Sequence, residues 1–128
     1  MNKRSANRIT LLIFAPVLIL TGLAGFIIPS EKGLTSGEPL YNTFHIVFGL
    51  IGIAVLLTGK ERWMEGFNIG FGLIDLYQAV ASFTHLFPER YFRWTRADDV
   101  LHIILGLALI VIGCYGKSKR GRHATWKA

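Results

Sequence analysis

A chain of 128 residues with 52% hydrophobic and 17% charged side chains is too apolar to hide its large side chains as a small soluble domain. Its formal net charge of +6 gathers at the ends and in the connections, while long tracts carry almost none. That layout is expected of one integral membrane domain, 1–128, and without a basic stripe interleaved with aromatics it argues against a nucleic-acid partner.

The first predicted span is ITLLIFAPVLILTGLAGFIIP, Ile9 to Pro29, with Pro16 as a candidate kink. At ~1.5 Å per residue it crosses a ~30 Å hydrocarbon core, and it exceeds the ~7–15 apolar residues of a signal peptide. SEKGLTSGEP, Ser30 to Pro39, is a turn-rich loop. The second span is predicted over 40–57, followed by TGKERWMEG as a short charged turn. The third is predicted over 67–87 and contains Asp75. PERYFRWTRADD, with Tyr91, Trp94 and three arginines, has the composition of a membrane–water interface. TRADD, Thr95 to Asp99, reads as a capping box opening the fourth span, 100–115. A basic tail, 117–128, closes the chain.

Of the Lys and Arg residues, the N-terminus, middle turn and tail hold ten, against four in the two other loops. The positive-inside rule therefore places both termini in the cytoplasm, with the chain a multi-pass protein of the cytoplasmic membrane. The single cysteine, Cys114, reads as a small buried apolar residue, and no Cys/His metal spacing exists.

Two stretches repeat. YNTFHIVFGLIGIAVLLTGK begins at Tyr41 and DDVLHIILGLALIVIGCYGK at Asp98. At an offset of 57, His45 matches His102, Gly49 matches Gly106, and Gly59-Lys60 matches Gly116-Lys117. The same offset relates Phe14 to Phe71 and Ala24 to Ala81. The expected fold is an all-α four-transmembrane-helix bundle of two tandem helical hairpins, a parallel repeat about an axis along the membrane normal. His45 and His102 then lie at one depth. His45, Gly49, Gly52 and Leu56 form one helical stripe, and His102, Gly106, Leu109 and Gly113 the other. Asn42 and Asp99 stand one turn before the histidines. Asn68, Gly72, Asp75, Ala79 and Ser82 form a third stripe. Asp75 must face the bundle interior, because an ionisable group in a span costs several kcal/mol unless paired, neutral or hydrated. His85 stands near the outer end of the same helix, as a second candidate buried ionisable group.

At these residues the chain resembles an uncharacterised bacterial family of four-transmembrane-helix proteins, catalogued as a domain of unknown function. The resemblance rests on YNTFHIVFGLIG and ADDVLHIILG, in which Asn42, His45, Gly49, Asp99, Leu101, His102 and Gly106 match the family's pattern. It implies a four-helix membrane domain and no activity.

Three functions are compatible with these residues. In the first, the polar groups serve packing, the glycines allow close crossings, and the protein is a scaffold or accessory subunit. Its partners are then lipid and other membrane subunits or further copies of itself. In the second, His45 and His102 bind a haem b or a chlorophyll-type pigment, supported by Asn42 and Asp99, with Gly49 and Gly106 leaving room for a flat ring. In the third, Asp75, the paired histidines and His85 form a proton relay or small transporter. Soluble-style enzyme chemistry has no support: Ser82 lies three residues from His85 without a third member.

Overall fold

In the computed structural model, residues 5–28, 32–33 and 35–116 are described. The N-terminal residues 1–4, part of the first loop and the basic tail with His123 lie outside them. Among the described residues the chain is helical, in the order α1 (Ala6–Ile27), α2 (Pro39–Thr58), α3 (Glu61–Thr84), α4 (Glu89–Phe92) and α5 (Arg96–Tyr115). Three helices, α1, α2 and α5, are long and apolar enough to cross a membrane.

Each helix starts and stops for local reasons. Ser5 caps α1 by accepting from the Arg8 amide at 3.1 Å. The helix then runs through Pro16 without interruption. Pro39 sits in the first turn of α2, where its missing N–H costs nothing. Gly59 ends α2 at φ 69°, a left-handed conformation that other residues adopt only under strain. The connection is shorter than the sequence suggests. TGKERWMEG is a charged turn only at Gly59-Lys60, and the helix resumes at Glu61, six residues before the expected start. Glu, Arg, Met and Trp are adequate helix formers, and their charge alone does not break a helix. At α5 the expected capping box forms, with Thr95 Oγ1 accepting from the Asp98 amide and the Asp98 side chain accepting from the Thr95 amide.

Packing pairs α1 with α2 and α3 with α5. The closest crossings fall at small residues. A β-carbon added at Gly49 would stand 2.8 Å from the Ala15 carbonyl oxygen and would collide with Ile19. One added at Gly106 would stand 2.9 Å from the Gly72 carbonyl oxygen and 2.9 Å from Leu76. Ala15 and Gly72, like Ile19 and Leu76, are 57 residues apart, so both helix pairs cross at matching positions. Most of the expected stripes is buried: His45, Gly49 and Gly52 on α2; Asn68, Gly72, Asp75 and Ala79 on α3; His102, Gly106, Leu109 and Gly113 on α5; Leu56 and Ser82, at the stripe ends, are half-buried. Large apolar residues point outward over the other faces, among them Leu20, Leu50, Leu73, Phe83 and Leu107.

Cys114 does not take the buried place expected of it; it is exposed. Gly113 holds the inward position against Ile69, and one residue on the helix has turned ~100° away. Trp94 also departs from an interfacial role. It is 7% exposed, packs with Phe92, Tyr41 and Ala81, and its indole N–H donates to Gln78 Oε1 at 3.0 Å. Tyr91, in the same segment, is exposed.

Candidate site between the two helix pairs

The two helix pairs meet through residues 57 apart. Phe14 of α1 and Phe71 of α3 pack edge to face with ring centroids 5.5 Å apart. The Tyr41 hydroxyl donates to Asp98 Oδ1 at 2.6 Å, and both residues are buried. Asp98 is the organising carboxylate. Its Oδ2 accepts from the Ser36 amide at 2.9 Å, the Thr95 amide at 2.9 Å and Thr95 Oγ1 at 3.1 Å. The hydroxyl of Ser36 in turn donates to the Phe92 carbonyl. One carboxylate therefore ties together the loop after α1, the start of α2, the segment after α4 and the cap of α5. A buried carboxylate tolerates low dielectric when its lone pairs are filled in this way. At the other end of the bundle, Asn68 Nδ2 donates to Asn7 Oδ1 at 2.8 Å, joining α3 to α1, and the Ser5 hydroxyl donates to Glu61 Oε1 at 2.8 Å.

Beside the Tyr41–Asp98 bond lies a cavity of about 210 Å³. His45 and Tyr41 of α2, Asp75 and Phe71 of α3, Asp98 and His102 of α5, and Phe14, Leu18 and Thr21 of α1 all reach it. The structure thus brings together three of the ionisable residues singled out in the sequence: His45, His102 and Asp75. His45 Nδ1 lies 2.8 Å from the Tyr41 carbonyl, a bond in which the ring N–H donates and Nε2 remains an acceptor. Its ring also lies against that of Tyr41, centroids 4.3 Å apart. His102 Nδ1 and Asp75 Oδ2 are buried without a hydrogen-bond partner among the described residues. A second hollow, at the far end of α1, is lined by Thr21, Gly25, Gly33 and Gly37, with no titratable group among the described residues that line it.

The supporting residues behave differently from expectation. Asn42 does not hold His45. Its Nδ2 donates to the Gly37 carbonyl at 2.8 Å and its Oδ1 lies against Gly25. The cap of α5 uses Asp98, while Asp99 Oδ1 is buried without a partner among the described residues. His85 is not a buried group. It caps α3 in a left-handed conformation at φ 59°, its side chain is 79% exposed, and it lies 3.6 Å from Glu89. The helix ends at Thr84, and His85 lies outside the buried stripe that holds Asp75.

A haem or chlorophyll-type ring does not fit between these histidines. The Phe14–Phe71 and Tyr41–Asp98 contacts bridge the space between the helix pairs. The cavity of about 210 Å³ is below the roughly 300–1,000 Å³ that drug-sized ligands occupy, and a four-pyrrole ring is larger still. Gly49 and Gly106 are filled by neighbouring helices and leave no slot for a ring. Among the described residues no three His, Cys, Asp or Glu side chains converge as metal ligands.

Tyr41, Ser36 and Gln78 are the participants the sequence reading passes over, and it takes Asp98 only as part of the α5 cap. Tyr41 and Asp98 are the first residues of the two repeated stretches, so the offset already set them opposite each other. Set against family models, curated proteins and solved structures, the chain matches none of them.

Proposed function

We propose that this chain is a small non-enzymatic integral membrane protein, a scaffold or accessory subunit, built from two tandem hairpins with four spans. The reading extends to both termini in the cytoplasm and to kinship with the four-span bacterial family. The observation that carries it is the Tyr41–Asp98 bond, in which residues at matching places in the two repeats hold each other. Several polar groups at this end are engaged by the protein itself, through Asp98, Ser36, Thr95, Gln78 and Trp94. In membranes, where packing and hydrogen bonds replace the hydrophobic drive, that is how helices are held together. Two features support α3 as the fourth span. It packs along α5 as α1 packs along α2, and it turns Asp75 inward while Leu73, Val80 and Phe83 face out. The apolar outer faces accept lipid or a neighbouring membrane protein.

An absorption spectrum of the protein purified in mild detergent from its native membrane, oxidised and then reduced with dithionite, tests the reading. A featureless visible spectrum is expected from a folded sample. A Soret band lost in His45→Ala or His102→Ala would make the protein a membrane cytochrome and overturn it.

A further inference from the structure

We infer that the cavity between the hairpins is a binding site for the single-ring head group of a membrane-soluble quinone or quinol, which enters sideways from the bilayer between α1 and α5. The site rests on the two-hairpin reading, because all four long helices supply its walls.

Size comes first. An apolar cavity of roughly 150 Å³ accepts a benzene ring, so about 210 Å³ accepts one substituted ring and no more. The walls suit such a ring, with Phe14, Phe71, Leu18 and Leu105 around it. Polar groups stand at one side of the same space. His102 and Asp75 are 5% and 2% exposed, and each has a buried atom, Nδ1 and Oδ2, without a partner among the described residues. His45 adds Nε2 as an acceptor, its other nitrogen being held by the Tyr41 carbonyl. A polar atom left unmatched at this depth is costly, so a ligand that donates to one group and accepts from another gains from binding. A quinol hydroxyl does both, and a quinone carbonyl accepts from a ring N–H such as that of His102. Asp98, a carboxylate held at the wall by its donors, disfavours a carboxylate or phosphate head group by like-charge repulsion.

The entrance is lateral. Val17 of α1 and Leu101 of α5 also line the cavity, yet they are 47% and 44% exposed on the outer surface. At the opposite end α1 and α5 touch, where the Asn7 amide donates to the Gly116 carbonyl at 3.3 Å. A gap that opens between two apolar helix faces leads to lipid, and an isoprenoid or alkyl tail fits that exit.

Trp94 is a built-in reporter, its ring centroid 6.2 Å from that of His102. The experiment uses the full chain in lipid nanodiscs with Trp63→Phe and Trp126→Phe, leaving Trp94 as its one indole, and titrates a decyl-chain benzoquinone, which quenches indole fluorescence. Saturable quenching is expected, weakened at least tenfold by His102→Leu and abolished by Val17→Phe, which plugs the mouth from a lipid-facing position. Quenching that rises linearly with partitioned quinone, or that saturates but ignores both substitutions, overturns the site while leaving the hairpin reading intact. A red-shifted, water-exposed Trp94 emission in the unsubstituted single-indole protein would overturn both.

Discussion

Replacing Asp98 with alanine is expected to cost the fold about 4 kcal/mol, the largest effect of any single polar substitution in this chain. The carboxylate accepts four hydrogen bonds, from the Tyr41 hydroxyl, the Ser36 amide, and the amide and hydroxyl of Thr95. Neutral interhelical bonds in membranes average only ~0.6 kcal/mol. Bonds to a charged group are worth ~1.5–3 kcal/mol, and the donors left behind at Tyr41 and Ser36 are buried, so the loss compounds. Part of it is local, since the cap of α5 goes with the side chain and caps contribute ~0.5–2 kcal/mol. Asp98→Asn keeps the shape and one acceptor, and about half the loss is expected. Unfolding in mixed micelles, followed through Trp94 fluorescence, measures both. An Asp98→Ala protein as stable as the parent would remove Asp98 from the centre of the structure.

Gly106→Leu is expected to cost about 3 kcal/mol, or to prevent the protein accumulating in the membrane. The obstacle at Gly106 is backbone: the Gly72 carbonyl oxygen would stand 2.9 Å from the added β-carbon. A side chain can change rotamer, but a carbonyl inside a helix moves only with its helix, so α3 and α5 must part. The same change at Gly70, also on α3, meets nothing within 4 Å and points outward. Gly70→Leu is expected to be neutral or slightly stabilising, because glycine is the poorer helix former by ~0.5–1 kcal/mol. Equal losses at the two sites, read from the same unfolding curves, would show that helix propensity rather than close crossing sets the effect.

The sequence made the buried stripes legible because small and polar residues at helical spacing have one natural place in an apolar bundle, facing other helices. His45, Gly49, His102, Gly106, Asn68 and Asp75 all lie there. The offset of 57 was legible for a similar reason, since each glycine is needed wherever the hairpin crosses. Similarity could not reveal the Tyr41–Asp98 bond. Residues that face their own equivalents must complement each other, because two tyrosines or two aspartates in that place would leave donors or charges unmatched. The most informative pair is therefore one of the least alike. Trp94 misled for a different reason. A ring with one polar edge suits both a headgroup region and a buried pocket with an acceptor, and only Gln78, distant in the chain by 16 residues, decides between them. His85 depended on where α3 stops, and helix ends are the least determined feature of an apolar tract.

The most direct test of two hairpins held face to face is a double-mutant cycle on Tyr41→Phe and Asp98→Ala, measured by reversible unfolding in lipid bicelles. A coupling energy of about 1.5–3 kcal/mol is expected, because removing the carboxylate leaves the buried hydroxyl without its acceptor and removing the hydroxyl leaves Oδ1 without its donor. Losses that add to within ~0.5 kcal/mol would mean that the two residues act independently, and would contradict an interface built on residues 57 apart.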